Sequence, residues 1–366
     1  MTKVWYSPLV LAAVVGAAPA CEEKTSSDAK PASSAKADSG APHGAGIDKN
    51  IAEAVAEVAG GTAPGSPNGP PESGVFAPGA ADKEIRAGDP PKIALGGKGD
   101  GATVRFGAAG PPKKKFDAKV LVAVQMGPRS AMPTVEVSFS MEAPAAPPAE
   151  GAEKPLVADT VLRVSGVKLP ADQPGELPPG LDKQIGKLRG SRVHFDFGAN
   201  GGGRLTGMEI AKDADAGLIP VLSTAADTLS LAFSPYPAEP VGAGAFWMVT
   251  TRETFLGLDM VTYRMMKLQK VDGDRAVVAV TTKHYVVSGE LGFPGLPHHK
   301  VVEFNETGNG SVMVPVAQPS FAQGEKTEAL LANLAPSGQD VPQGLPPGQA
   351  LPIHFELKTK FAAGGG

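Results

Sequence analysis

Two polar side chains suited to proton transfer, His194 and Asp196, lie two residues apart in the alternating segment Val193–Phe197. On a β-strand, residues at this spacing project from the same face, so the pair could form part of a catalytic relay. No nucleophile motif such as G-x-S-x-G accompanies it. An exposed polar strand face explains the pair equally well, and we expect no enzyme.

Two further motifs have residue types that can bind a metal or a nucleotide. His298 and His299 are adjacent, and neighbouring residues on a strand point to opposite faces, so they are poorly placed to share one ion. We interpret them as polar loop residues. The glycine-rich run Gly96–Gly101 contains Lys98 but lacks the spacing of a phosphate-binding loop. The sequence therefore predicts no metal site and no cofactor.

The only cysteine of the chain, Cys21, follows an N-terminal segment of distinctive composition. Lys3 precedes an uncharged stretch from Val4 to Ala18, and small residues come directly before the cysteine. A short basic region, an apolar region and small residues before a cleavage point are typical of a secretory signal peptide.

The run Ala18-Pro19-Ala20-Cys21 resembles the lipobox of bacterial lipoproteins, although that family usually has Leu where this chain has Ala18. The resemblance implies that residues 1–20 are removed and that Cys21 carries the lipid, palmitate included. Glu22 follows the cysteine and favours an outer-membrane location facing the periplasm. An ordinary signal peptide with an incidental cysteine is the alternative.

Composition then divides the rest of the chain at about residue 89. Residues 21–89 are mostly small, polar or charged, which predicts a lipid-anchored disordered tether. Residues 90–362 are predicted to form the globular domain. The net charge of −4 and the mixing of both signs give no indication of nucleic-acid binding. No long apolar run follows the signal segment, so membrane contact is expected through the lipid alone.

Strand-like alternation dominates the globular part. The segments Thr134–Ser140, Val193–Phe197 and Ile353–Lys358 alternate apolar and polar residues, which is typical of antiparallel strands. Compact turns are predicted at Val271–Asp274 and at Glu306–Gly310. Further strands are predicted at Ala102–Phe106, Phe116–Met126, Leu156–Leu169, Arg204–Ile210, Ala243–Thr251, Asp259–Lys270, Arg275–Val287, Lys300–Asn305 and Ser311–Val316.

Two segments have helical spacing instead. Leu181–Arg189 predicts a short helix, and Leu218–Phe233 predicts a longer one whose apolar stripe includes Leu222 and Leu229. The expected fold class is α+β, with a large curved antiparallel β-sheet packed on one long and one short helix. This arrangement resembles the half-barrels of periplasmic lipoprotein carriers at the level of fold only.

A glycine-rich run after the longer helix ends in a tryptophan. Pro237 to Trp247 follows the pattern P-x-x-P-V-G-x-G-x-x-W, which resembles a run in uncharacterised bacterial secreted lipoproteins with β-rich folds. The resemblance spans about residues 210–287 and implies no activity. Trp247 is predicted to pack in the core or, as the alternative, to line a pocket.

Two functions follow from this organisation. The first is a non-catalytic carrier or binding domain for a hydrophobic ligand, with Leu222, Leu229 and Trp247 lining its cavity. The second is a structural or interaction lipoprotein with a solid core, in which the same residues are core, that binds an envelope protein. An enclosed apolar void of roughly 300 Å³ or more separates the first from the second.

Overall fold

The computed structural model describes residues 70–107, 116–126, 130–131, 133–142, 157–171, 179–197, 202–288, 290–293, 296–336 and 351–364. The predicted signal peptide, Cys21 and the tether up to residue 69 lie outside these residues. Three α-helices are present in the described part: α1 (Ala81–Glu84), α2 (Leu181–Gly186) and α3 (Ile219–Ala232).

Strands make up most of the remaining described residues. They are β1 (Lys92–Gly97), β2 (Asp100–Val104), β3 (Asp117–Met126), β4 (Ser130–Ala131), β5 (Val135–Met141), β6 (Val157–Lys168), β7 (Arg192–Phe197), β8 (Gly203–Glu209), β9 (Val241–Ala243), β10 (Phe246–Phe255), β11 (Leu258–Asp272), β12 (Arg275–Ser288), β13 (Glu290–Phe293), β14 (Leu296–Pro315), β15 (Gln323–Pro336) and β16 (Leu351–Gly364). The prediction of a β-rich chain with few helices is confirmed.

One large antiparallel sheet organises the described residues. It contains 14 strands, and its main path runs β1-β10-β11-β12-β14-β15-β16-β3-β5-β6-β7-β8, with β13 beside β14 and β4 beside β3. Strands β2 and β9 form a separate pair. β8, at one end of the path, contacts β10 near the other end without joining its ladder. The sheet therefore curves around its inner face.

Helix α3 occupies that inner face and is enclosed on every side. It contacts β3, β5, β8, β10 and β16, and all residues from Val221 to Ala232 are buried, the polar ones included. The predicted apolar stripe of α3 is part of the core. The side of the helix opposite to this stripe is buried as well. A surface helix has a polar face in solvent, whereas the polar face of α3 lies against the sheet.

The outer face of the sheet is covered in part by residues 70–89. Phe76, Ala81 and Ile85 are buried with Val261 and Tyr285 in a small apolar cluster. The Arg252 guanidinium donates hydrogen bonds to the Asp82 carboxylate at 2.7 Å and to the Ile85 carbonyl at 3.2 Å. The predicted boundary at residue 90 is thus too late, because apolar residues spaced widely among polar ones bury themselves on the sheet.

The predicted turn at Glu306–Gly310 is wrong, and the predicted strands on either side of it are one strand, β14. Its glycines serve close packing instead of a turn. A Cβ on Gly310 would lie 2.5 Å from the Glu325 carbonyl oxygen of β15. The other predicted turn is confirmed: β11 and β12 form a hairpin in which Asp272 pairs with Arg275 and Gly273 has φ +60°.

Among the described residues, no helix combines the length and the apolar character that a bilayer-spanning segment needs.

Candidate functional site

Seven ionisable side chains meet between α3 and the inner face of the sheet, and we call them the buried charge cluster. Each is between 0 and 3 % exposed. One comes from the helix and six come from five consecutive strands of the sheet, β10, β11, β12, β14 and β15. The members are Asp227, Glu253, Arg264, His284, Glu306, Lys326 and Glu328.

Asp227 of α3 joins the helix to three strands. Its Oδ1 lies 3.2 Å from Nη2 of Arg264 and 3.5 Å from Nε2 of His284, and its Oδ2 accepts a hydrogen bond from the Lys326 ammonium. Arg264 Nη2 also donates to Oε1 of Glu253 at 2.6 Å. The charges are paired, as burial of ions requires.

Glu306 occupies a split in the sheet. Strands β12 and β14 are paired only as far as Thr282 and Gly308, so the backbone N–H of His284 has no strand partner on that side. Oε2 of Glu306 accepts a hydrogen bond from this N–H at 3.1 Å and also contacts Nδ1 of the same histidine. The carboxylate thereby replaces a missing ladder contact.

Residues 73–76 close the same split from the other side. The Phe76 N–H donates to the Val286 carbonyl at 2.8 Å, and the Val286 N–H donates to the Gly74 carbonyl at 2.9 Å. The Phe304 N–H of β14 donates to the Ser73 carbonyl at 2.9 Å. The segment therefore links β12 to β14 beside the charge cluster.

Lys326 and Glu328 lie two apart on β15 and both point inward. The Lys326 ammonium contacts Glu328 Oε1 as well as Asp227. Space for the Glu328 side chain comes from Gly308 of β14, where a Cβ would lie 2.9 Å from Cγ of Glu328.

The charges in the cluster lower the pKa values of some of its carboxyl groups and raise the pKa of another. Burial alone raises the pKa of Asp227, but Lys326, His284 and Arg264 outweigh it and hold that pKa well below its usual value. Burial likewise raises the pKa of Glu306, and the charges of His284 and Lys326 outweigh it, so the pKa is lowered. These two groups stay ionised at neutral pH.

Two other members bind protons more tightly than usual. Burial raises the pKa of Glu328 to about 8, and although Lys326 lowers it, the neighbouring carboxylates Glu306 and Asp227 add to the rise. Burial lowers the pKa of His284, but Glu306 and Asp227 outweigh it and raise the pKa to about 10. A proton on Glu328 and a second proton on His284 thus balance the positive and negative charges of the cluster.

The arrangement offers ion binding more readily than catalysis. With at most 3 % of any member exposed, a substrate has no surface to reach. Among the described residues, two groups of three could supply ligands to one metal ion, with one ligand atom from each residue within 4.8 Å of the others. They are Asp227, Glu253 and His284, and His284, Glu306 and Glu328.

The residues singled out from the sequence lie elsewhere. Leu222, Leu229 and Trp247 have no exposed surface and belong to the main apolar core. The Asp196 carboxylate accepts a hydrogen bond from Arg204 at 2.9 Å, and His194 lies 3.5 Å from the Glu209 carboxylate. This pair belongs to a set of charged neighbours on the β7–β8 ladder and is not part of the charge cluster.

The interpretation of His298 and His299 as loop residues is wrong, because both lie in β14, and His299 is buried. Gly96 and Gly97 end β1 beneath the ring of Phe246, where a Cβ would lie 2.1 and 2.9 Å from ring carbons. Packing accounts for these two glycines of the run.

Sequence reasoning missed the members of the charge cluster because each stands in a locally ordinary context. One signal was available. The segment Ile219–Ala232 has Asp227 as its only charged residue, and a helix with so few charges is typically buried on all sides. A single acid on such a helix requires cationic partners from other elements.

A concavity is lined by residues of β3, β14, β15 and β16. It encloses about 530 Å³ and is open to solvent; its lining is Leu121, Ala123, Asn309, Gly310, Ser311, Glu325, Lys326, Thr327, Lys358, Thr359 and Lys360. The Lys360 ammonium lies 3.4 Å from the Glu325 carboxylate. This concavity is open to solvent and is not an enclosed cavity.

Comparison with known proteins gives no family. No protein-family model matches the chain, and no curated protein matches it significantly.

Proposed function

We propose that this chain is a lipid-anchored cell-envelope lipoprotein whose folded part is a solid, non-catalytic interaction or structural domain. The sequence favours a carrier for a hydrophobic ligand and keeps the solid domain as the alternative. The packing of the inner face reverses that preference. The domain is proposed to bind an envelope protein through its surface.

The observation that carries this proposal is the complete burial of Leu222, Leu229 and Trp247, each 0 % exposed. A side chain that lined a void wide enough for water would have surface accessible to water, and these have none. A carrier needs an enclosed apolar cavity of roughly 300 Å³ or more. The three residues proposed to line one pack against other side chains instead.

The position of α3 supports the same conclusion. In a half-barrel carrier the concave face of the sheet would be open to ligand, whereas here the helix and the charge cluster fill it. The concavity lined by Lys358 and Lys360 is open to solvent, so it does not provide the enclosed apolar cavity that a carrier needs.

Binding of a fluorescent fatty acid tests the carrier against the solid domain. We would use the chain beginning at Glu22, which keeps every described residue and lacks the lipid. No saturable binding is expected, and Leu222→Ala should lower the free energy of unfolding by ~2–5 kcal/mol, as truncation of packed leucines does. Leu331→Ala is the control, because Leu331 is 43 % exposed.

Saturable probe binding, together with a Leu222→Ala variant as stable as the parent, would show that the carrier hypothesis is right and the solid domain wrong. A large stability loss in Leu222→Ala alone, with none in Leu331→Ala, would support the solid core.

The anchor is tested separately at Cys21. Replacing it with serine removes the thiol that acyl transfer requires, so Cys21→Ser should no longer incorporate labelled palmitate and should leave the membrane fraction. Incorporation of palmitate into the variant would exclude the proposed lipidation site. Fractionation of the wild-type protein tests the outer-membrane location that Glu22 favours.

A further inference from the structure

We infer that His284, Glu306 and Glu328 form a binding site for one divalent transition-metal ion such as Zn²⁺ or Mn²⁺. They are contributed by the adjacent strands β12, β14 and β15. One ligand atom from each lies within 4.8 Å of the other two, and each residue is at most 1 % exposed. A Zn²⁺ ion in this site would bond to each ligand atom at ~2.0–2.2 Å.

The first observation that points to an ion is the set of acceptor atoms without donors. Oε1 of Glu306 and Oε2 of Glu328 are buried, and no amide, hydroxyl or ring N–H of the described residues donates to them, so the Glu306–Glu328 hydrogen bond is the contact that an ion would replace. The Thr282 hydroxyl, also buried, has no partner within the described part of the chain. Buried polar atoms are nearly always satisfied, and a cation would satisfy these oxygens.

The second observation is the space that Gly308 provides. Oε1 of Glu328 lies 3.1 Å, and Cβ of Thr282 lies 3.4 Å, from the position that a Cβ on Gly308 would take. Any larger residue would push the Glu328 carboxylate out of this position. The absence of a side chain on β14 therefore brings the carboxylate next to Thr282, towards β12.

The formal charges of the cluster leave room for a divalent ion. Four carboxyl groups, those of Asp227, Glu253, Glu306 and Glu328, face the two permanent cations Arg264 and Lys326. Binding of the ion releases the protons that His284 and Glu328 hold in the metal-free protein, and without them the excess is two negative charges. One divalent cation neutralises it, which burial in a low-dielectric interior strongly favours.

The other group of potential ligands, Asp227, Glu253 and His284, is a weaker candidate because Arg264 bridges both of its carboxylates, whereas in the proposed group Lys326 contacts Glu328 alone. Arg264 Nη2 is 2.6 Å from Glu253 Oε1 and 3.2 Å from Asp227 Oδ1. No guanidinium or ammonium group contacts Glu306 among the described ion pairs, and its contact there is with His284.

The ligand types select the class of metal. An imidazole nitrogen with carboxylate oxygens is a common donor set for Zn²⁺ and is compatible with Mn²⁺. Ca²⁺ and Mg²⁺ prefer oxygen donors alone and retain water, so a dry site with a histidine disfavours them.

The test measures metal content and thermal unfolding of the full-length protein, purified in mild detergent and incubated with Zn²⁺, Mn²⁺ or Mg²⁺. We expect about one Zn²⁺ or Mn²⁺ retained per chain after extensive washing, with a raised Tm because only the native state binds the ion tightly. Mg²⁺ should do neither.

Glu328→Gln is the diagnostic variant and Glu325→Gln is its matched control, since Glu325 lies on the same strand with its side chain 63 % exposed. Loss of a ligand should weaken binding by more than ~100-fold, given that outer-shell changes alone cost about 10–100-fold. Equal retention by both variants, or no retention by the folded wild-type protein, would overturn the site.

X-ray absorption of the Zn²⁺-loaded wild-type protein keeps the inference testable if Glu328→Gln does not fold. One imidazole with oxygen ligands is expected. A spectrum with sulfur, or with two or more imidazoles, places the ion elsewhere and contradicts the site. The fatty-acid experiment at Leu222 does not depend on metal binding. The metal site can therefore be disproved without affecting the proposed function, and the proposed function can be disproved without affecting the metal site.

Discussion

Glu328 of β15 lies over Gly308 of β14, with its Cγ 2.9 Å and its Oε1 3.1 Å from the place that a Cβ on Gly308 would occupy. This contact explains two features of the chain together. It places a carboxyl group over the centre of the inner face, and it requires a glycine within a long strand, where glycine is otherwise unfavourable.

Gly308→Ala should therefore destabilise the protein by ~1–3 kcal/mol, as overpacking of a filled interior does. Unfolding in urea measures the loss. Gly207→Ala on β8 is the control, because a Cβ there meets nothing within 4 Å. In a Glu328→Ala background the cost of Gly308→Ala should shrink, and an unchanged cost would show that the contact is not its cause.

Asp227→Asn should lower the free energy of unfolding by ~3–5 kcal/mol, since removing one partner leaves buried cations uncompensated. Arg264, His284 and Lys326 all lie against this carboxylate. Chemical denaturation measures the effect, with Asp213→Asn at an exposed position as the control. A loss as small as that of the control would mean that the three cationic groups do not depend on Asp227.

Stability of the metal-free protein should fall as the pH rises through the neutral range. The pKa of His284 is raised from 6.5 to about 10, so its contribution is complete below pH 6.5 and is lost as the pH approaches 10. The pKa of Glu328 is raised from 4.5 to about 8, so the native state also keeps this proton longer than the unfolded chain. Both effects have the same sign between pH 6.5 and 8.

Urea unfolding at a series of pH values, with a chelator present, measures this slope. The other ionisable groups that face His284 and Glu328 are Asp227, Glu253, Arg264, Glu306 and Lys326. Glu328→Gln should remove its part of the slope between pH 4.5 and 8, so that the slope caused by His284 between pH 6.5 and 10 remains. A stability that rises from pH 6.5 to 8 in the wild-type protein would contradict the assignment of protons.

Gly74→Ala should release residues 73–89 from the sheet. A Cβ there would lie 1.6 Å from the Phe304 carbonyl oxygen, and φ is +71°. Trypsin cleavage after Lys83 or Arg86, followed by mass spectrometry, should become faster. Gly79→Ala is the control that separates the steric collision from backbone strain. Its φ is also positive, at +75°, but no atom lies within 4 Å of the position that its Cβ would take. Equal cleavage rates in the two variants would show that the collision is unimportant.

Local patterns were sufficient for most individual elements. The alternation in Arg275–Val287 predicted β12, and apolar residues on both of its faces predicted a central strand covered on both sides. The spacing in Leu218–Phe233 predicted α3 to within a residue at each end. Such signals are visible in sequence because side-chain direction repeats every two residues in a strand and every 3.6 in a helix.

β14 and β15 show where local patterns failed. Glu306–Gly310 has the composition of a turn, so its sequence predicts a hairpin. Glu325–Glu328 contains charged and polar residues and no apolar ones, so its sequence predicts no element. Their glycines and charges are explained only by neighbours from distant parts of the chain, such as Asp227 for Lys326.

The sequence by itself determined the secondary structure of the periodic segments, and the N-terminal sorting signal at Cys21 stays a prediction. Only the tertiary structure decided that the polar side of α3 faces a sheet and that Glu306 and Glu328 are buried. The physical reason is that burial of a charge depends on partners supplied by the strand order, and no local period encodes that order.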